Sequence, residues 1–249
     1  MNSSRTLLGG LDCRILDWLP EGAGPSLVVV FCHGFGAPGT DLVPLAGELV
    51  AIEPRLADAV RFVFPAAPLT LDPQGLPGGR AWWMIDLDKL VAAVERGETR
   101  SLHESEPQGL SDAREMLLSL IDDLTGQTGL PISRVVLGGF SQGAMLTTDV
   151  ALRLPERPAG LCIFSGTLVN EAEWLPRAAK RGPLPVVQSH GTQDPLLSFA
   201  AAESLRDALT GAGLAVDFVA FQGMHSIPAE GLRRAARLIA ACTTQTSNE

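Results

Sequence analysis

Short runs of apolar and β-branched residues alternate along the chain with longer segments whose apolar positions recur at helical spacing. The runs predict core strands at Leu27–Cys32, Arg61–Phe64, Arg134–Leu137, Leu161–Phe164, Val186–Ser189 and Val216–Phe221. Several are nearly continuous in apolar character, which is what a strand covered by helices on both faces requires. The helical segments between them are Leu42–Ile52, Ser111–Thr125, Gln142–Leu154, Phe199–Thr210 and Ala229–Ala241. Ser111, ahead of Arg114-Glu115, reads as an amino-terminal cap with an acidic first turn. This alternation predicts an α/β fold with a mostly parallel central sheet and helices on both faces. Asp12–Leu19 is expected to add an edge strand.

One segment breaks the alternation. From Pro65 to Gly109 the chain passes through Pro/Gly-rich sequence, then Trp82-Trp83-Met84, then Ile85–Arg96. Leu87, Leu90, Val91 and Val94 fall on one face of a short helix. The stretch 65–109 reads as a lid-like excursion within a single domain spanning 1–249. An amphipathic helix packed on the core is the alternative reading.

Composition narrows the function. With 28 acidic against 19 basic residues and a formal charge of −9, the chain lacks the clustered cations that phosphate backbones demand, so nucleic acid is not an expected partner. No apolar run approaches the roughly 20 residues of a membrane helix, and the amino terminus lacks a signal-peptide core. Stable membrane insertion is therefore not expected. Cys13, Cys32, Cys162 and Cys242 are scattered without a CxxC pair, and Cys32 and Cys162 sit in apolar runs as small hydrophobes. A reducing, cytoplasmic location without disulfides follows as the expectation.

The sharpest chemical signal is Gly138-Gly139-Phe140-Ser141-Gln142-Gly143-Ala144, a GxSxG pattern between a predicted strand and a predicted helix. A sharp strand-to-helix turn lifts a serine oxygen out of the sheet, and flanking glycines relieve the crowding. Gly138 and Gly143 also have P-loop spacing, but Ala144-Met145 stands where a phosphate cradle needs Lys and then Ser or Thr. A serine hydroxyl needs a base, and in the α/β-hydrolase order an acid and then a histidine follow the nucleophile. Asp194 lies in His190-Gly191-Thr192-Gln193-Asp194-Pro195, just past a predicted strand. His225 is then the one histidine left after it, on the loop beyond the last strand. Asp217 also precedes His225 but sits inside a predicted strand. Taken singly, Asp194 could be a turn former and His225 a structural residue; their order and placement argue for a Ser141–His225–Asp194 triad.

His33-Gly34-Phe35-Gly36 follows an early strand, where such a fold offers one main-chain N–H to an oxyanion while the residue after the serine offers another. Phe35 and Gln142 are the candidates, and His33 is expected to hold the loop. Trp82, Trp83, Leu87 and Leu90 are candidates for lining an acyl pocket. No metal-ligand spacing such as HExxH is present, and no cofactor is expected.

These residues carry a resemblance to the carboxylesterase/acyl-protein thioesterase (phospholipase/carboxylesterase) family of α/β-hydrolases. The matching stretches are His33–Gly36 continuing to Asp41–Ala46, Phe64–Pro68, Gly79–Trp83, Gly139–Ala144, His190–Pro195 and Met224–Ser226. They cover most of the chain in family-like order, and the GFSQGA and HGxxDP stretches together are specific. The resemblance implies the α/β-hydrolase fold and a cofactor-free serine esterase, with Ser141, Asp194 and His225 as the triad and Phe35 and Gln142 as oxyanion donors; a small-molecule ester of small or medium acyl length is the expected substrate. A thioesterase or lysophospholipase on the same triad, and a non-catalytic ligand-binding relative, are the alternatives; monomer and homodimer both stay open. Two departures fall where the acyl group would enter. Met84-Ile85 separates Trp83 from Asp86 where family members show Trp, an aromatic and Asp, and Asp86–Gly109 is longer than in compact members. Substrate identity, including acyl-protein thioesterase activity, is therefore not carried over.

Overall fold

Strand β3 (Leu27–Cys32) is buried at every position, and its side chains divide by simple alternation. Leu27, Val29 and Phe31 enter one apolar cluster with Phe62, Phe64, Val136 and Phe164; Val28, Val30 and Cys32 enter another with Val135, Leu137, Leu161 and Ile163. A sheet with two cores, one on each face, explains the continuous apolar runs. These features come from a computed structural model that describes residues 1–86, 96 and 106–244.

The main sheet has eight strands. Around β3 stand β1 (Asn2–Leu8), β2 (Leu11–Asp17), β4 (Val60–Pro65), β7 (Val135–Phe140), β8 (Gly160–Phe164), β9 (Pro185–Gly191) and β10 (Ala215–Phe221), in the spatial order β1-β2-β4-β3-β7-β8-β9-β10. The two joins at the β1 end are antiparallel and the other five are parallel. A separate pair, β5 (Leu69–Thr70) and β6 (Arg80–Ala81), follows β4 along the chain. Helices α1 (Pro44–Ile52) and α6 (Ala229–Thr244) pack on one face. Helices α2 (Leu110–Thr128), α3 (Gln142–Arg153), α4 (Glu171–Ala178) and α5 (Phe199–Gly211) pack on the other. Among the described residues no helix is long and apolar enough to cross a membrane.

All six strands expected from the apolar runs are present, with three corrections. The segment at Asp12–Leu19 is not the edge: β2 lies between β1 and β4, and β1 is the outer strand. β1 is mostly exposed and polar, so it carries no apolar period; the Gly9-Gly10 turn that folds it back has φ of 55° and 78°. Arg134 is not in β7 but closes a 3₁₀ turn, Ile132–Arg134, from which its guanidinium donates to the Cys242 carbonyl at 2.8 Å. Ser111 does not cap α2. The cap position is Gly109, at φ 91°, and a Cβ there would lie 3.0 Å from the Trp83 Cβ, so the helix starts where only glycine fits.

Helix α3 is buried from Gln142 to Leu152, so its polar side chains must find partners inside. Thr147 and Thr148 donate back to the Gly143 and Ala144 carbonyls at 3.0 and 2.7 Å. Asp149, fully buried, accepts from Arg114, from Arg153 at 3.1 Å and from the Trp174 indole at 2.8 Å, joining α2, α3 and α4. Two cationic partners and a neutral donor offset the desolvation of that carboxylate.

The four cysteines are all buried and unpaired. Burial pushes the Cys13 thiol up to about 12 and the Cys242 thiol up to about 11, and raises Cys32 and Cys162 as well. A thiol-disulfide reagent at pH 8 should therefore find no fast-reacting group in the native chain and four after denaturation; one or more fast native thiols would contradict this packing.

Candidate active site

Ser141 sits at the junction of β7 and α3 with φ 56° and ψ −119°, a conformation most side chains avoid. Its N–H donates to the Phe164 carbonyl at 2.9 Å, which fixes the turn against β8. The flanking glycines are there because the chain folds back on itself. A Cβ on Gly139 would lie 2.4 Å from the Gly143 carbonyl carbon, and one on Gly143 would lie 2.0 Å from the Cys32 oxygen. Gly34, on the loop after β3, comes nearly as close to the serine: its Cβ would stand 3.3 Å from the Ser141 Cβ.

That loop is held by two buried side chains. His33 Nδ1–H donates to the Gly34 carbonyl at 2.8 Å and Nε2 accepts from the Ala67 N–H at 3.0 Å, so both ring nitrogens are used and the tautomer is fixed. Burial lowers its pKa, against the raising effect of the Gly34 bond. The expectation that His33 holds the loop agrees with these contacts. Trp82 lies beside it, ring centroids 5.6 Å apart, and donates its indole N–H to the His33 carbonyl at 2.9 Å.

Gln142 follows the serine and its side chain is buried. Its Oε1 accepts from the Trp82 N–H at 2.9 Å and its Nε2 donates to the Trp83 carbonyl at 2.8 Å, so one amide grips two consecutive peptides. As the first residue of α3, its own N–H has no partner inside the helix. On the opposite loop the Gly36 N–H is taken by the Arg80 carbonyl at 2.9 Å, which leaves Phe35 facing the cavity beside Ser141.

Asp194 is on the loop after β9 and its side chain is fully buried. Oδ1 accepts from the Leu196 and Leu197 N–H groups at 2.9 and 3.0 Å, and Oδ2 accepts from His225 Nδ1–H at 2.6 Å. His190 Nε2 stands 3.3 Å from the same Oδ2. Burial alone would push this carboxyl up, but the contacts from His190 and His225 outweigh it and hold it well below the usual carboxylate range. Asp217, the other acid between Ser141 and His225, is committed to Arg234 at 2.8 and 2.9 Å.

Ser141 and His225 line one cavity of about 160 Å³, with Phe35, Phe140 and Leu196. No hydrogen bond joins the serine to the imidazole among the described residues; catalytic bonds commonly tighten only when substrate docks. The His225 ring leans on Phe140, centroids 4.7 Å apart. A neighbouring cavity of about 320 Å³ is lined by Trp83, Met84, Thr167 and Val169, and shares Ile85, Met145 and Leu197 with the first. Trp83 lines this second cavity. Trp82 lines neither cavity; both its N–H groups are spent tying the His33 and Gln142 segments together. Leu87, Leu90, Val91 and Val94 lie outside the described residues.

Two contacts had no readable signal in the sequence: the Gln142 amide bridge, and Ser165. Ser165 adopts φ 48° at the end of β8 and donates its hydroxyl to the Ser226 carbonyl at 3.2 Å, steadying the residue after His225. Among the described residues no group of three or more His, Cys, Asp or Glu side chains is arranged to hold a metal ion.

The close approach at Gly143 has a direct consequence. Gly143→Ala should either fail to fold or lose about 3 kcal/mol in a urea melt, since a methyl must displace backbone rather than a flexible side chain; a wild-type midpoint would refute the packing described.

Comparison with known proteins accords with this geometry. A family model described as Phospholipase/Carboxylesterase matches residues 21–243. Acyl-protein thioesterase 1 of Eremothecium gossypii is 33% identical over 186 residues, covering 73% of this chain and 72% of that protein. Acyl-protein thioesterase 1 of Neurospora crassa is 29% identical over 223 residues, covering 86% of each. Among solved structures, esterase PE8 superposes with a TM-score of 0.75 at 27% identity, covering 97% of this chain and all of that one. A carboxylesterase from Mesorhizobium loti, at 18% identity and a TM-score of 0.72 over 96% of this chain and 99% of that one, shares the fold. With nine-tenths of its length inside the family match, and with the sheet order and strand–serine–helix turn described above, the chain belongs to the phospholipase/carboxylesterase family of α/β-hydrolases and is a hydrolase.

Proposed function

We propose that the chain hydrolyses carboxylic esters through an acyl-enzyme on Ser141, with His225 as the base and Asp194 as the orienting acid. The observation that carries the reading is the 2.6 Å bond from His225 Nδ1–H to a fully buried Asp194, on the wall of the cavity that Ser141 also lines. With its Nδ1 proton committed to the carboxylate, His225 keeps Nε2 free to accept the serine proton. As Ser141 Oγ attacks the ester carbonyl, the imidazole takes that proton and then delivers it to the leaving alcohol. Water repeats the exchange on the acyl-enzyme and frees the acid. The carboxylate stabilises the imidazolium formed on the way without taking its proton. Oxyanion charge falls to the Phe35 and Gln142 N–H groups, each contributing about 3 to 4 kcal/mol to the transition state.

The larger cavity, about 320 Å³, is at the small end of the roughly 300–1,000 Å³ typical of small-molecule sites and supports a small or medium acyl group. A thioester is the second reading, favoured by the names of the Eremothecium and Neurospora relatives; side-by-side rates on matched esters, thioesters and lysolipids separate the two.

A fluorophosphonate probe tests the nucleophile. Wild type should label rapidly, Ser141→Ala not at all, and His225→Ala should lose about four to six orders of magnitude in kcat. A folded but unlabelled wild type would turn the assignment toward a ligand-binding relative without turnover.

Asp194 also makes an acid-stability prediction. Its carboxyl is held lower in the folded chain than in the unfolded one, so on acidification the unfolded chain takes up the proton first. The stability it contributes is complete above an unfolded value of about 4 and is lost as pH falls through the folded value. Asp194→Asn cannot titrate, so its Tm should fall less steeply than that of wild type between about pH 5 and pH 2; parallel slopes would assign the acid sensitivity to other carboxylates.

A further inference from the structure

We propose that His190 is a positioning residue for Asp194, closing a ring of polar contacts that sets the direction of the carboxylate presented to His225. This rests on the reading of Asp194 as the orienting acid and deepens it.

His190 is the sixth residue of β9, and its side chain, like that of Asp194, is fully buried. Its Nε2 lies 2.8 Å from the Leu197 carbonyl. A carbonyl can only accept, so Nε2 carries the proton. The same Nε2 is 3.3 Å from Asp194 Oδ2, an electrostatic contact beside a hydrogen bond that is aimed at the carbonyl. The Leu197 peptide completes the loop: its oxygen is held by His190 while its N–H, with that of Leu196, is given to Asp194 Oδ1. Both carboxylate oxygens are thus referred back to β9 through one imidazole, and the remaining direction at Oδ2 points to His225.

A packing role alone leaves one observation unexplained. Among the described residues His190 Nδ1 is buried without a hydrogen-bond partner. Phe199 stands near the ring, centroids 6.4 Å apart, as an apolar neighbour. A leucine of similar size would suit such a pocket and would leave no orphaned nitrogen there. The imidazole is retained at that cost for what its other nitrogen does. The titratable groups in contact with Asp194 are His190 and His225; its remaining partners are main-chain N–H groups. Removing the His190 N–H leaves the carboxylate more basic, which strengthens its hold on the His225 proton. It also frees the Leu197 peptide, so the carboxylate direction loosens.

The test compares His190→Leu, which deletes the donor, with His190→Gln, whose Nε2 amide stands the same number of bonds from Cβ as the imidazole Nε2. In the leucine variant kcat on a simple ester should fall about 10- to 100-fold with KM nearly unchanged. The acid limb of its kcat/KM profile should move to higher pH, and the glutamine variant should recover most of both. A folded leucine variant whose acid limb stays in place, with any rate loss matched by lost folded fraction, would overturn the inference. So would a glutamine variant as impaired as leucine. Should the leucine variant not fold, ¹⁵N resonances of the wild-type imidazoles decide. They should show His190 protonated at Nε2 and shifted on Asp194→Asn; an Nδ1-protonated or unresponsive His190 would overturn it. Fluorophosphonate labelling of wild-type Ser141 separates the two levels. Labelled wild type with an indifferent His190 sinks only this inference, whereas unlabelled wild type sinks it together with the triad.

Discussion

The left-handed turn at Ser141 is possible because two stretches of backbone approach more closely than a side chain would permit and a third comes almost as close. The first turn of α3 lies against the Cys32 carbonyl at the end of β3, Gly139 lies against Gly143, and Gly34 lies against the serine itself. These contacts join the carboxyl ends of β3 and β7, neighbours in the sheet, to the start of α3. Strain of about 1 to 3 kcal/mol at a single serine persists only when its surroundings leave the chain no alternative. Here β8 accepts the serine N–H, and the Gln142 amide clamps the next residue to Trp82 and Trp83. Much of the molecule near the site can be understood as the apparatus that holds this turn.

Two carboxylates with fully buried side chains show how the same interior serves different ends. Asp149 is surrounded by two guanidinium groups, which cannot surrender a proton, and an indole. It is a fixed charge inside a fixed scaffold, and it ties three helices beneath the site. Asp194 is surrounded instead by peptide N–H groups and two imidazoles. An imidazole can pass a proton to a neighbour and take it back, so this negative charge is stabilised without being locked. The difference in partner chemistry, at similar burial, separates Asp149, a structural acid, from Asp194, the acid proposed to orient His225.

The central strands and the serine turn could be read from the sequence because they obey strong local rules. Val28–Phe31 is apolar at every position, and a GxSxG pattern between a strand and a helix has few other uses. The ordering of Asp194 and His225 past successive strands was legible for the same reason. β1 was not, because an exposed outer strand needs no apolar face; its one signal was Gly9-Gly10, a pair suited to a two-residue hairpin turn. At the start of α2 local chemistry misleads: Ser111 has the chemistry of a cap, while contact with Trp83 selects Gly109. Trp82 looked like a lining residue, since a large apolar ring gives no hint that its N–H groups are needed elsewhere. Contacts between residues some 60 positions apart, such as Gln142 with Trp82, leave no periodic trace in a single sequence.

The contact between Trp83 and Gly109 says something about how this architecture can change. The two positions almost touch, although 26 positions separate them along the chain. Trp83 is secured by the Gln142 amide, and Glu106, near Gly109, by Arg114 and Asn170 at 2.8 and 3.1 Å. A stretch whose two ends already meet can be lengthened, shortened or replaced without moving either anchor, and each doubling of its length adds only about 0.6 kcal/mol of closure entropy. The serine turn and its acid lie on the scaffold side of both anchors. The fold therefore separates what must stay constant from what is free to diversify, and a lineage could exchange one intervening segment for another while inheriting the chemistry intact.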